Sequence, residues 1–157
     1  MNSGVHDAER FNEIWVAKDG DHVAAAAVWL PPEGYPRALR RDLITMFRIT
    51  PAFSRAGLRM LRGLRFLSEI DKAHHEVETP HMYLAILGSE PLYRGAGAGS
   101  AVLQPVLDRC DEQGLTAYLE TQKESNLAFY ARQAFDVVQK LEVNGVPPIW
   151  TLLRKPR

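Results

Sequence analysis

Apolar residues along this chain recur with two different periods, and each change of period marks a new element. Glu13 to Lys18 and His22 to Leu30 form two apolar runs on either side of Asp19-Gly20, a strong local signal for a β-hairpin. The alanines from Ala24 to Ala27 would also suit a helix, but the turn and the Val23, Val28 and Trp29 flanks favour a strand. Pro31 and Pro32 end it. Residues 1 to about 11 are polar and without period, so they are expected to be mobile or loosely packed. From Pro36 to Thr50, Leu39, Leu43, Ile44, Met46 and Phe47 return at helical spacing until Pro51. A second helix is expected from Ala52 to about His75, with Phe53, Ala56, Met60, Leu64, Leu67 and Ile70 facing inward and Arg55, Arg59, Arg62 and Arg65 facing out.

The second half of the chain carries the stronger signals. Met82 to Ser89 reads as a strand, and Ala101, Val102, Leu103, Val106, Leu107 and Cys110 then recur as one face of a helix. Pro105 falls inside that helix and is expected to kink it, and Gly114 to stop it. Ala117 to Thr121 reads as a short strand, and a helix follows it from Asn126. Val137 to Val143 and Ile149 to Leu153 are two closing strands around Asn144-Gly145. The order β-β-α-α-β-α-β-α-β-β implies an α/β chain, with a mixed sheet and helices on both faces. Its length suits a single domain over residues 1–157.

Between the Met82 strand and the helix after it lies Glu90-Pro91-Leu92-Tyr93 and then Arg94-Gly95-Ala96-Gly97-Ala98-Gly99-Ser100. Glycines at alternate positions clear side chains where a backbone must be approached closely. Successive N–H groups at a helix start form an anion site, so the loop is suited to phosphate or pyrophosphate. The nucleotide P-loop reading is weakened because no Gly-Lys-Ser/Thr ending is present. A dinucleotide fingerprint fits poorly, since Ser100 or Val102 stands where its last glycine belongs, although Glu120 imitates its acidic ribose partner.

Arg94 to Gly99 satisfy R/Q-x-x-G-x-G/A at every fixed position. With Asn126, Phe129, Tyr130 and Phe135 following at the spacing N-x-x-x-x-F/Y-Y-x-x-x-G-F approximates, the chain resembles the GNAT acetyltransferases. From Ile14 to Arg154 its wording is similar to the puromycin N-acetyltransferase-like group, beginning at the family's second strand. It therefore reads as an N-terminally shortened member. The resemblance implies the GNAT acyl-CoA N-acyltransferase fold, acetyl-CoA as acetyl donor, no metal, and a primary amine of a small molecule as acceptor. It also implies that the backbone of Leu87, Gly88 and Ser89 holds the pantetheine and polarises the thioester, and that Arg94, Gly95, Ala96, Gly97, Ala98, Gly99 and Ser100 cradle the pyrophosphate. Asn126 would bind the cofactor, or merely cap its helix. Tyr130 would be the general acid, and Glu120 could accept the amine proton directly or through water. Ala134 stands where the pattern has glycine; a positive φ there would cost alanine about 1 kcal/mol. The competing reading is a non-catalytic acyl-CoA-binding or subunit-interaction domain.

Composition narrows the field further. The 19 basic and 19 acidic residues cancel, so net charge offers no argument for nucleic acid or a membrane. The basic run from Arg37 to Lys72 has no exposed aromatics interleaved with its arginines, which argues against nucleic acid; it reads as a solvated helix face, with a patch for an anionic ligand such as a coenzyme A phosphate as the weaker alternative. Cys110 cannot form an internal disulfide, sits on an apolar helix face and reads as an inert buried thiol. His74, His75 and His81 have no metal-site spacing and read as surface or loop histidines. Without a signal-peptide pattern or a membrane-length apolar run, a cytoplasmic protein is expected. The exposed closing strands are compatible with a homodimer.

Overall fold

The computed structural model describes residues 6–9, 12–34, 68–77, 79–142 and 145–157. The expected helix from Pro36 to Thr50, most of the one from Ala52 and the row Arg55, Arg59, Arg62 and Arg65 lie outside these residues. The last turns of the second helix are present as the helical segment 68–75, ending where expected.

The described strands are β1 (His6–Glu9), β2 (Asn12–Asp19), β3 (His22–Leu30), β4 (His81–Ser89), β5 (Thr116–Thr121), β6 (Asp136–Leu141) and β7 (Ile149–Arg154). They form one sheet in the order β1-β2-β3-β4-β5-β7-β6, with β4 and β5 parallel and the other pairs antiparallel. Two α-helices follow the crossovers, α1 (Ala98–Gln113) after β4 and α2 (Leu127–Arg132) after β5. The β2–β3 hairpin turns at Gly20, whose φ of 58° needs glycine's freedom.

β1 corrects the expectation of a loose N-terminus. His-Asp-Ala-Glu has no apolar alternation to announce a strand, yet it pairs with β2 from His6↔Trp15 to Glu9↔Asn12. Backbone hydrogen bonding along an edge asks little of the side chains, so period reading misses it.

The core lies between the sheet and α1. Ala24, Ala25, Ala27 and Trp29 of β3, Ala117 and Leu119 of β5, and Val102, Leu103, Val106, Leu107 and Cys110 of α1 are all buried in it. The alanines of β3 are thus small residues under a helix. Burial pushes the Cys110 thiol up to about 11, consistent with an inert core residue. α1 runs through Pro105 as one helix and ends at Gly114, φ 66°, where Leu115 N–H donates to Cys110 O and Gly114 N–H to Asp111 O, a Schellman stop.

A β-bulge in β4 positions the site. Register against β3 steps from Val28↔Ile86 to Trp29↔Leu84, leaving Ala85 as an extra residue. Such an insertion bends its strand and increases the local twist. On its other edge β4 pairs with β5 only from His81↔Thr116 to Tyr83↔Tyr118. Beyond Tyr83 the two parallel strands part, opening a gap in the middle of the sheet.

Candidate active site

One side of the gap is the outer edge of β4. Glu90 N–H donates to Ala24 O at 2.9 Å, on the β3 side. Backbone groups of a strand alternate between its edges, so Gly88 also turns toward β3, while the amides of Leu87 and Ser89 face the edge that β5 has left. The backbone groups of Gly88 therefore point away from the open edge that those of its two neighbours face.

The glycine loop closes one end of a cavity of about 420 Å³. Gly95 and Gly97 have φ of 80° and 84°, and a Cβ on either would meet nothing within 4 Å. Their conformation favours glycine, whereas close approach within the loop arises at Gly99, where a Cβ would lie 3.3 Å from Phe129 Cζ and that ring would have to give slightly. Arg94 N–H bonds Pro91 O and Ala96 N–H bonds Tyr93 O, so these two amides hold the loop together rather than a ligand. Ala101 N–H makes α1's first internal bond, to Gly97 O, and the preceding amides of Ala98, Gly99 and Ser100 have no intrahelical partner. With the helix dipole behind them, these amides are suited to an anion. Arg94 and Arg132 also line the cavity, and among the described residues no acidic one does.

Leu87, Ser89, Arg94, Gly95, Gly97, Ala98, Gly99, Ser100, Asn126 and Tyr130 all line this cavity; Gly88, Ala96 and Glu120 do not. Sequence reasoning missed Tyr93, Phe129 and Arg132. Phe129 belongs to the pattern around Asn126 and Tyr130, but only the fold brings it against Gly99 and brings Arg132 to the loop. Tyr130 is buried among Phe129 and Phe135, with ring centroids at 5.2 and 5.9 Å. That burial pushes its phenol above the ordinary value of 10.0, so it stays protonated until a stronger base appears. Asn126 precedes α2 but makes no side-chain cap; its Nδ2 donates instead to Thr121 Oγ1 at 3.1 Å. Gln133 Nε2 donates to Ser100 Oγ at 2.9 Å and ties the end of α2 to the start of α1.

Glu120 lies on the other face of the sheet. Thr121 meets Asn126 on the cavity side, so its neighbour on the strand points away. There Glu120 Oε1 is buried, 3.7 Å from His74 Nδ1. His74 is 2% exposed, which corrects the surface-histidine expectation: the final turns of the 68–75 segment press it onto Tyr83 and Tyr118, at 4.9 and 4.7 Å between centroids. Among the described residues, no group of three or more His, Cys, Asp or Glu is placed to hold a metal ion, and no helix is long and apolar enough to cross a membrane.

Comparisons with known proteins agree with this architecture. A crystal structure of histone acetyltransferase HPA2 and related acetyltransferase from Corynebacterium glutamicum superposes with a TM-score of 0.58 at 22% identity, covering 94% of this chain and 66% of that one. A polyamine N-acetyltransferase of Drosophila melanogaster superposes with a TM-score of 0.60 at 18% identity, covering 90% and 74%. At these identities the likeness is one of fold. Among curated proteins, a probable serine/threonine-protein kinase of Dictyostelium discoideum is 28% identical over 80 residues, 49% of this chain. This chain spans 11% of that relative's length. The family model for the acetyltransferase (GNAT) family matches residues 4–135, from β1 to the end of the α2 turn, and the chain belongs to that family.

Proposed function

We propose that the chain is an N-acetyltransferase that moves an acetyl group from acetyl-CoA to a primary amine of a small molecule. The observation that carries this reading is the shared cavity: the open edge of β4 at Leu87 and Ser89, the free amides of Ala98, Gly99 and Ser100, and the Tyr130 phenol all belong to it. These groups fit the donor's parts. Amides at a helix start and two arginines suit a pyrophosphate, and an unpaired strand edge suits the amide-bearing pantetheine arm.

Acetyl transfer needs a neutral amine, a polarised carbonyl and a proton for the departing sulfur. The Leu87 and Ser89 amides supply donors along the edge where the thioester would lie. Tyr130 gives its proton to the sulfur as the C–S bond breaks, and burial keeps that proton in place beforehand. Asn126, held by Thr121, fixes the wall across from the strand edge. Glu120 takes the proton that the amine sheds as the N–C bond forms. It stands on the opposite face but two residues past Tyr118, the last β5 residue paired with β4, and so borders the same gap. The donor enters from the glycine-loop face and the amine from the other. The similarity to the puromycin N-acetyltransferase-like group points to an aminoacyl-nucleoside type of amine.

A titration of thermal stability with acetyl-CoA tests the reading. Saturation at 100 times the dissociation constant adds about 2.7 kcal/mol, a rise of roughly 5–11 °C for a chain this long. Gly97→Glu and Arg132→Glu should each abolish or weaken the shift. Thiol release with a panel of small primary amines, agmatine and puromycin among them, should fall about a hundredfold or more in Tyr130→Phe. No shift with folded protein would sink the donor site. A shift without amine-dependent thiol release would favour the second reading, a non-catalytic acyl-CoA-binding or subunit-interaction domain. That reading draws on the exposed edge strand β6, where Val137 and Val138 are 49% and 63% exposed.

A further inference from the structure

The turn that ends α2 is fastened to both ends of α1, and the two fastenings meet in Gln133. Near the far end of α1, Arg154 holds Asp111 through bonds of 2.6 and 2.7 Å and donates from Nε to Gln133 O at 3.2 Å. Gln133 N–H donates to Tyr130 O at 2.9 Å, so both backbone groups of this residue are occupied. Its side chain crosses to the start of α1, where Nε2 donates to Ser100 Oγ at 2.9 Å. Ser100 lines the donor cavity, and Gln133 does not.

A hydroxyl offers one proton and two lone pairs. The Gln133 amide takes a lone pair of Ser100, and among the described residues no other hydrogen bond reaches that hydroxyl. Its own proton therefore points away from Gln133 and is unclaimed. It stands beside the amides of Ala98, Gly99 and Ser100, which α1 leaves without an intrahelical partner. With the Gln133 amide turned over, Oε1 would take this proton, and an anion in the cavity would meet an oxygen lone pair instead.

We propose that the Ser100 hydroxyl is a further hydrogen-bond donor to the pyrophosphate of acetyl-CoA, and that Gln133 is the positioning residue that turns it into one. The proposal rests on the acetyltransferase reading and adds two side chains to a site otherwise built from backbone and two arginines. A hydrogen bond to a charged phosphate oxygen is roughly twice as strong as one between neutral groups. Arg154 and the α2 turn hold the Gln133 backbone in advance, so little freedom is lost when the donor arrives. The pair serves the phosphate end alone, whereas Tyr130 and the β4 edge serve the thioester. Its loss should therefore raise the KM for acetyl-CoA and leave kcat as it was. A purely structural tie would act differently, because a loosened α2 turn also displaces Tyr130 and slows every donor.

The test is a calorimetric titration of the full chain with acetyl-CoA, in wild type, Ser100→Ala, Gln133→Met and the double variant. Each single change should weaken binding about tenfold, the scale of one hydrogen bond to a charged group. The double variant should bind no more weakly than Ser100→Ala alone, since Gln133 acts only through that hydroxyl. In thiol-release assays both single variants should show a higher KM for acetyl-CoA at unchanged kcat. Their kcat/KM should stay at the wild-type value with acetyl-pantetheine, which keeps the thioester and lacks the pyrophosphate. A wild-type chain that does not bind acetyl-CoA overturns the acetyltransferase reading and this role together. Wild-type binding with no loss in Ser100→Ala or in Gln133→Met overturns only this role. So do equal losses with the two donors, or a double variant weaker than both single ones, which would mark a structural tie.

Discussion

Ala134→Gly should make the protein more stable, although it removes a side chain. α2 ends in a Schellman motif, with Phe135 N–H donating to Tyr130 O at 3.1 Å and Ala134 N–H to Ala131 O at 3.0 Å. The residue after the helix cap must then be left-handed, and Ala134 is, with φ 66°, the one non-glycine residue with positive φ among those described. The same motif ends α1, where Gly114 fills the position at the same φ of 66°. A left-handed residue with a Cβ costs about 1–2 kcal/mol. Glycine returns roughly 0.4–1 kcal/mol of that through the greater freedom of the unfolded chain. The net gain is about 0.5–1 kcal/mol, or a Tm rise of roughly 1–4 °C for a chain of this length. Urea unfolding should show a higher midpoint at unchanged slope, and Ala134→Val should lower it. An unchanged or lower midpoint for glycine would refute the argument, and would mean that the T-shaped Tyr130–Phe135 contact at 5.9 Å already sets the turn without strain.

Arg154→Ala should be among the more damaging single changes. Arg154 is 4% exposed and grips Asp111 through two bonds of 2.6 and 2.7 Å while donating to Gln133 O, so it joins β7 to α1 and to the α2 turn. Removing one partner of a buried pair costs about 3–5 kcal/mol, and since Asp111 keeps some exposure we expect the lower end, measurable by urea unfolding. The Arg154 hydrogen bond is the main force that lowers the Asp111 carboxyl below its ordinary value of 3.8, so the pair's contribution is complete above that value and is lost as pH falls through the folded-state value. Acid titrations of stability should accordingly be shallower in Arg154→Ala than in wild type. Gly99→Val should displace Phe129, the nearest ring at 3.3 Å, and weaken the acetyl-CoA thermal shift. Arg132→Gln should weaken acetyl-CoA binding and flatten its dependence on ionic strength, as expected if its charge faces the donor's phosphates.

Much of the site is local chemistry, and local chemistry is legible in a sequence. The loop from Arg94 to Ser100 and the helix behind it were readable because φ > 0 and helix starts are set by neighbouring residues. Asn126 and Tyr130 share a cavity because they sit one helical turn apart. The Ala134 strain was readable as a departure from a glycine position. Which amides hold the loop and which are free was not, since the bonds from Arg94 and Ala96 depend on how the loop closes.

Thus the residues themselves determined the hairpin, the late strands, the helices after β4 and β5, the family's loop and the acid candidate. Tertiary structure decided the rest: β1, which pairs with β2 without an apolar period to announce it, the Ala85 bulge, and the parting of β4 from β5 that makes a gap between the sheet's two faces. It also decided that Glu120 and Tyr130 approach that gap from opposite sides, and that His74 is buried against a carboxylate from a strand 46 residues away in sequence. Periodicity assigns residues to faces of one element. Which face meets which, and where two strands separate, depends on contacts between distant segments that no local pattern encodes.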